Sequence, residues 1–433
     1  MKVKNYKLIF FIIPFVILFL LYKNNNKINC SDITEDYNVS AVRESKYGMH
    51  VPFNKKYHIT TNTQQTFLEI IEYKRINNKD FFSKEIKKLK KDRFKKGFYT
   101  CKYKSSNNIL FISQGISNSN VLVIIPDYTF QAYNNLNEEH FYQEKVNLLS
   151  MKRPIEKFHY FHYPSYSPLK LLRDMNINYD LIKQSELVKS LNIDNLSKYK
   201  LLIIYGHDEY WSQNLFNHIS TSVSSGTNLL NLSGNTAWWE IIKTQDLIKR
   251  KMNKKLRRDW FLLSGVSYSF GGVPIIIDRN KSFFESKIAD LKFNDFSNQN
   301  IDKIQYLLRG IKIDNLNHKI FENGEKVLKN NNYIGLTSKI ISVEFDGFDE
   351  DFEKKFEISK DIFFEPGNII TLGSAFGVIN DGQYITKSHP IVVRKFYNGV
   401  VLSLSSIGWL RGIILNDENV IKITKNSINY LLK

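Results

Sequence analysis

Three strongly apolar runs constrain this chain more than any other feature: VLVIIP from Val121 to Pro126, LLIIYG from Leu201 to Gly206, and TNLLNLSG from Thr227 to Gly234. A strand with one wet face alternates apolar and polar residues. A continuous run bounded by glycine or proline instead implies burial on both faces. Segments of helical spacing stand between the runs, such as LKLLRDM near Leu169 and SQNLFNHISTSVSS from Ser212. Strand, helix, strand at that spacing predicts βαβ units and a parallel sheet covered by helices. The second run ends in His207, Asp208 and Glu209. In open α/β sheets the crevice outside the carboxyl ends of the strands is where ligands bind, so these three titratable groups are the first place to look for chemistry.

The flanking sequence has a different rhythm. YHITT, TFLEIIEYKR, GFYTCKYK and NILFISQ alternate over four to six positions and predict a small antiparallel sandwich over residues 46–118, interrupted by a charged, helix-like SKEIKKLKKDRF. Beyond it, residues 119–433 form the α/β domain, with a hairpin at Asn398-Gly399 and a closing helix from about Glu418 to Leu432. Residues 1–45 are expected to be an anchor and linker. Lys2, Lys4 and Lys7 precede the 15-residue apolar run at 8–22, and Lys23 and Lys27 follow it. Such a helix covers about 22 Å, and the flanking lysines can snorkel to complete a span. No small-residue cleavage site follows, so a single N-terminal membrane anchor with the remaining domains outside the cytoplasm is expected. In such a compartment Cys30 and Cys101, the two cysteines of the 433 residues, could pair.

The net charge of +18 comes from lysines scattered through Asn- and Ile-rich sequence, with no nucleic-acid reader among them, so nucleic acid is not an expected partner. The one dense basic run, Lys249 to Arg258, reads as a solvated helix face. G-x-S-x-G, P-loop and dinucleotide fingerprints are absent, and neither cysteine lies at a parallel-strand end. His159 and His162 have metal-ligand spacing but no accompanying cysteine or carboxylate, and Trp211, Trp238, Trp239 and Trp409 read as core aromatics. Asp208 reads as structural, fixing the loop or His207. Tyr133 and Asn134 after the first apolar run, and Asn235 and Trp238 after the third, would converge on the crevice that holds His207 and Glu209.

The ordered set PDYTFQAYN, KRP at Lys152 to Pro154, YGHDEYW, LSGNTAWW, SVEFD and SLSSIGWL resembles the family of the large (beta) subunit of N,N-dimethylformamidase and its C-terminal region. FLEIIEYKR and KKGFYTCKY extend the likeness upstream, over roughly residues 48–430. The resemblance implies a glutamine-amidotransferase-like parallel sheet and a mononuclear Fe(III) held by two tyrosines and one glutamate. Carried over by motif, the glutamate is Glu209 and one tyrosine is Tyr133. The second falls on Tyr99 of GFYTCKY, with Tyr142 as competitor. Three anionic oxygens suit a hard ferric ion and leave positions open for water and substrate. In that scheme His207 moves a proton, Asn235 hydrogen-bonds the substrate carbonyl or oxyanion, and Glu344 of SVEFD is a second acid-base group.

The resemblance thus implies a membrane-anchored hydrolase of C–N amide bonds, acting on a small amide or on cell-envelope material. The alternative is a non-catalytic envelope protein that binds polysaccharide or peptide in the same crevice. After AYN the family has a glycine pair where this chain reads NLNEEHFY, so Asn137 and Glu138 alter the substrate approach. The sequence leaves the oligomeric state open.

Overall fold

The computed structural model describes the backbone of residues 29–32, 56–60, 67–76, 80–90, 97–102 and 109–113, and residues 119–433 apart from 135–139, 144–145, 152–166, 191–195, 252–253, 276–300, 323–331, 342–343, 350–367 and 380–383. The apolar run 8–22, Asn137, Glu138, His159, His162 and the side chain of Tyr99 lie outside the described residues. Among the described residues no helix is long and apolar enough to cross a membrane.

The chain is a mixed α/β protein built on one large sheet. Five strands are parallel: β1 (Val121–Ile125), β2 (Asp180–Lys183), β3 (Leu201–His207), β4 (Asn228–Gly234) and β5 (Gly399–Leu404). They lie in the order β2-β1-β3-β4-β5. Past β5 the sheet continues antiparallel through Tyr384–Phe396 and Ile369–Ile379. The three apolar runs are thus neighbours, and β1 and β3 are buried along their whole length.

Alternate side chains of the strands enter two cores. Val121, Val123, Leu201, Ile203 and Leu230 pack with α2 (Ser167–Asp174), α6 (Trp409–Ile414) and α7 (Glu418–Leu432). Leu122, Ile124, Leu202, Ile204 and Leu229 pack on the opposite face with α1 (Asp127–Tyr133), α3 (Gln184–Ser190), α4 (Gln213–Ser224) and α5 (Lys254–Ser264). Each fully buried Val, Leu or Ile contributes about 1.5–3 kcal/mol, so strands wetted on neither face are dominated by apolar residues. The buried polar exceptions in β4, Asn231 and Ser233, are hydrogen-bonded to each other, with Asn231 also bonded to Ser405. The Ser212 hydroxyl caps α4 by accepting the N–H of Leu215 at 3.2 Å, and Asp417 caps α7 through Val420 at 3.3 Å.

Upstream stand two three-stranded antiparallel sheets, one of Lys56–Thr60, Phe67–Ile76 and Asp80–Lys90, the other of Asn29–Asp32, Gly97–Lys102 and Ile109–Ser113. The helix-like SKEIKKLKKDRF is in fact largely strand. A register shift opposite Ile70 and Ile71 places an unpaired residue at position 86. One inserted residue breaks the alternation of period two, which is why Ile86 and Leu89 have helical spacing in a strand. In the other sheet the register sets the backbone of Cys30 opposite that of Cys101.

Candidate active site

A parallel sheet ordered β2-β1-β3-β4-β5 reverses its direction of winding between β1 and β3, and the crevice outside that point is where such sheets bind ligands. Here α1 follows β1 directly and delivers Tyr133 at its last residue, while β3 delivers His207 and, two residues on, Glu209. Gly206 has φ +80, a conformation a side chain at that position would strain, so the strand turns at its tip just before His207. The turned segment is pinned on both sides. Thr129 Oγ1 accepts the N–H groups of Glu209 and Tyr210 at 2.9 and 3.1 Å. Ala237 and Trp239 donate their N–H groups to the carbonyls of Asp208 and Glu209 at 3.0 and 2.9 Å.

The side chains form a tight polar ring. Tyr133 donates to Glu209 Oε2 at 2.7 Å, Tyr142 donates to Oε1 at 2.7 Å, and the two phenol oxygens lie 2.7 Å apart. His207 Nε2 is 2.7 Å from the Tyr133 hydroxyl, 3.3 Å from Glu209 Oε2 and 3.5 Å from Glu344 Oε2. His207 and Glu209 are each 1% exposed, whereas Tyr142 is 49% exposed and Glu344 is partly open, so solvent reaches the ring from their side. Among the described residues no group of three His, Cys, Asp or Glu side chains forms a metal cluster. The converging donors here are phenols and one carboxylate.

Tyr133 and Tyr142 both have their phenol pKa raised, first by burial and then by the neighbouring charge of Glu209, so both are neutral donors in the protein alone. Burial by itself would lower the His207 pKa, but its hydrogen bond and attraction to Glu209, with Glu344 behind, raise it overall. Glu344 is itself pushed up by burial, against the attraction of His207, and accepts a hydrogen bond from the Asn235 amide. Asn235 sits at φ +55 just after β4, and its Oδ1 is buried with no hydrogen-bond partner among the described residues. Gly234 makes this geometry accessible. A Cβ there would collide with the Glu344 carbonyl oxygen, so only glycine lets the segment carrying Glu344 lie against the tip of β4.

Asp208 points away from the ring. It is fully buried, accepts from Gln184 Nε2 at 2.6 Å and from Trp211 Nε1 at 2.9 Å, and burial pushes its carboxyl up to about 7. Trp211 and Trp409 are buried in the cores, while Trp238 and Trp239 are partly open beside the site. Of the two tyrosines weighed for the second phenolate, Tyr142 reaches Glu209 among the described residues. Tyr99 is described only by its backbone, in the strand Gly97–Lys102. Sequence reasoning passed over Thr129, which looked like an ordinary helix residue, and Asp346, whose carboxylate accepts the Thr236 N–H at 3.1 Å beneath the Asn235 turn.

Residues 90–272 match the family described as N,N-dimethylformamidase beta subunit-like, C-terminal. The matched segment is narrower than the 48–430 of the motif resemblance. It holds Tyr99, Tyr133, Tyr142, His207, Glu209 and Asn235, while Glu344 lies beyond its end. No curated protein matches the chain. Among solved structures, a beta-galactosidase from Bacillus circulans sp. alkalophilus aligns at 10% identity with a TM-score of 0.29, covering 69% of this chain and 30% of that one. A catalytic mutant of a beta-galactosidase from G. stearothermophilus aligns at 11% identity and a TM-score of 0.30, covering 69% and 29%. The chain thus spans about a third of the length of either enzyme, and a likeness this loose says nothing of activity.

Proposed function

We propose that the protein is an N,N-dimethylformamidase-like hydrolase of C–N amide bonds, with a mononuclear ferric ion held by Tyr133, Tyr142 and Glu209. The observation that carries this is the proton count of the ring. The two phenols and Glu209 make three oxygen contacts of 2.7 Å with only two phenol protons to share among them. With Glu209 ionised, one of the three contacts has no phenol proton between its oxygens, which a shared cation relieves. Oxygens bound to one metal at roughly 2 Å and right angles stand about 2.8 Å apart, so the ring already has the spacing of such a ligand set. Tyr99 of GFYTCKY, named by the family resemblance, is the rival for the second phenolate. The resemblance also supports a glutamine-amidotransferase-like identity for the sheet.

When bound, a ferric ion supplies a Lewis acid for an amide carbonyl and acidifies water. The remaining work falls to the chain's own groups. His207 Nε2, at the inner edge of the ring, takes a proton from the attacking water and returns it to the leaving amine. Glu344, 3.5 Å away, holds the ring in place and balances the imidazolium. Asn235 has one side-chain N–H engaged by Glu344 and an unpaired Oδ1, which suits it to accept an N–H of the scissile amide and fix its orientation. The anchor at residues 8–22 would hold this chemistry at a membrane, outside the cytoplasm, and direct it to envelope-derived amides. Metal content and the visible tyrosinate absorption of the aerobically purified chain test the proposal.

A further inference from the structure

The basic run that reads as one solvated helix face is divided in the structure. Leu247–Lys251 is a strand, and Arg257 lies in α5. Its charged groups have different fates: Arg258 pairs with Asp259 at 3.2 Å and Lys251 reaches Glu240 at 3.7 Å. Among the described residues Arg257 has no such partner. Its Nε donates to the Trp238 carbonyl at 2.7 Å, and its Cζ stacks 3.4 Å above the Trp238 ring and 5.5 Å from that of Trp239. Trp238 is braced edge-on by Tyr268, with ring centroids 5.0 Å apart. Arg250 stands 5.1 Å from the other tryptophan, Trp239, so two guanidinium groups bracket the pair.

This geometry presets Arg257. The stacking and the Nε bond fix the plane of the guanidinium, and among the described residues its two Nη groups have no hydrogen-bond or ion-pair partner. A planar fork held in place with two free donors suits a carboxylate, and pre-ordering removes much of the entropic cost of binding one. Trp238 lies three residues after Asn235 on the same turn, which places the fork beside the crevice. Glu209 is near enough for its charge to favour the ionised guanidinium against the effect of burial.

We propose that Arg257 selects the substrate class: amides that carry a carboxylate, such as N-acyl amino acids, with the carboxylate on the guanidinium fork and the amide turned toward Asn235. This rests on reading the ring as an amide-cleaving centre, and the test separates the two. Calorimetric titration of the full chain with N-formylglycine and with its neutral carboxamide, N-formylglycinamide, measures the preference, while visible absorption of the same samples measures iron. The expected result is about 10- to 100-fold tighter binding of N-formylglycine. That ratio should fall to about 1 in Arg257→Gln and remain partial in Arg257→Lys, with iron content unchanged in both. Equal binding of the two probes by the wild type, failure of both to bind, or a ratio unmoved in Arg257→Gln and Arg257→Lys would overturn the assignment. Iron with no carboxylate preference removes Arg257's role alone. Preference without iron leaves that role standing and removes the metal centre.

Discussion

The hydroxyls of Tyr133 and Tyr142 lie 2.7 Å apart, each already donating to a different oxygen of Glu209. Two phenols so placed are the expected source of a charge-transfer colour when iron is bound. Tyr142→Phe should therefore weaken and shift the visible band and lower iron retention by about tenfold or more, in line with the loss of one ligand, while Tyr99→Phe should leave both nearly intact. The opposite pattern, with Tyr99→Phe bleaching the protein, would transfer the second phenolate to the small antiparallel sheet. Absorption spectra and metal analysis of the two variants decide this.

Asp346 gives the fold a pH dependence of its own. Its carboxylate is fully buried, and burial pushes it up to about 7 despite hydrogen bonds from Thr236 and Asn235. A folded-state pKa above the unfolded value of 3.8 means the native state binds more protons between the two, so stability falls as pH rises from about 4 to 7. Asp346→Asn removes this titration. Denaturant melts should find the variant gaining on the wild type by roughly 1 kcal/mol or more across that window. A constant difference between the two proteins from pH 4 to pH 8 would count against it.

Asp208 is predicted to act on stability rather than on chemistry. Asp208→Ala strands the buried donors of Gln184 and Trp211 and should cost about 2–4 kcal/mol. Asp208→Asn, which keeps an acceptor oxygen, should lie within about 1 kcal/mol of wild type and keep its iron. Chemical denaturation and metal analysis of both variants test this, and an Asn variant that is stable but metal-free would show Asp208 to be part of the centre.

The register that sets residue 30 opposite residue 101 brings the chain's two cysteines onto facing strand positions. Paired positions on adjacent antiparallel strands have Cα separations of about 4.5–5.5 Å, inside the range a disulfide spans. Chain exported to an oxidising compartment should have no titratable thiol until it is reduced. Two free thiols in the exported, unreduced protein would contradict this.

Much of the site's frame can be read from the sequence because its causes are local and periodic. The runs at 121–126 and 201–206 lack the alternating polar residues of a half-exposed strand, the run at 227–234 keeps an apolar centre around Leu229 and Leu230, and residues that can carry chemistry follow each of them. The relation of Tyr142 to Glu209 is harder to read, since Tyr142 lies outside any helix or strand and no periodicity points to it. The strand at Asp80–Lys90 is concealed by its bulge. Arg257 looks like one charge among many in a basic run because nothing local to it reveals that Trp238 lies beneath the guanidinium.

Tyr133→Phe, measured beside wild type for bound iron and visible absorption after aerobic purification with iron supplied, tests the centre most directly. The account predicts a coloured wild type with about one iron per chain, and a pale variant that melts as a folded protein but retains little metal. A colourless, metal-free wild type, or a Tyr133→Phe protein with undiminished iron and colour, would contradict it.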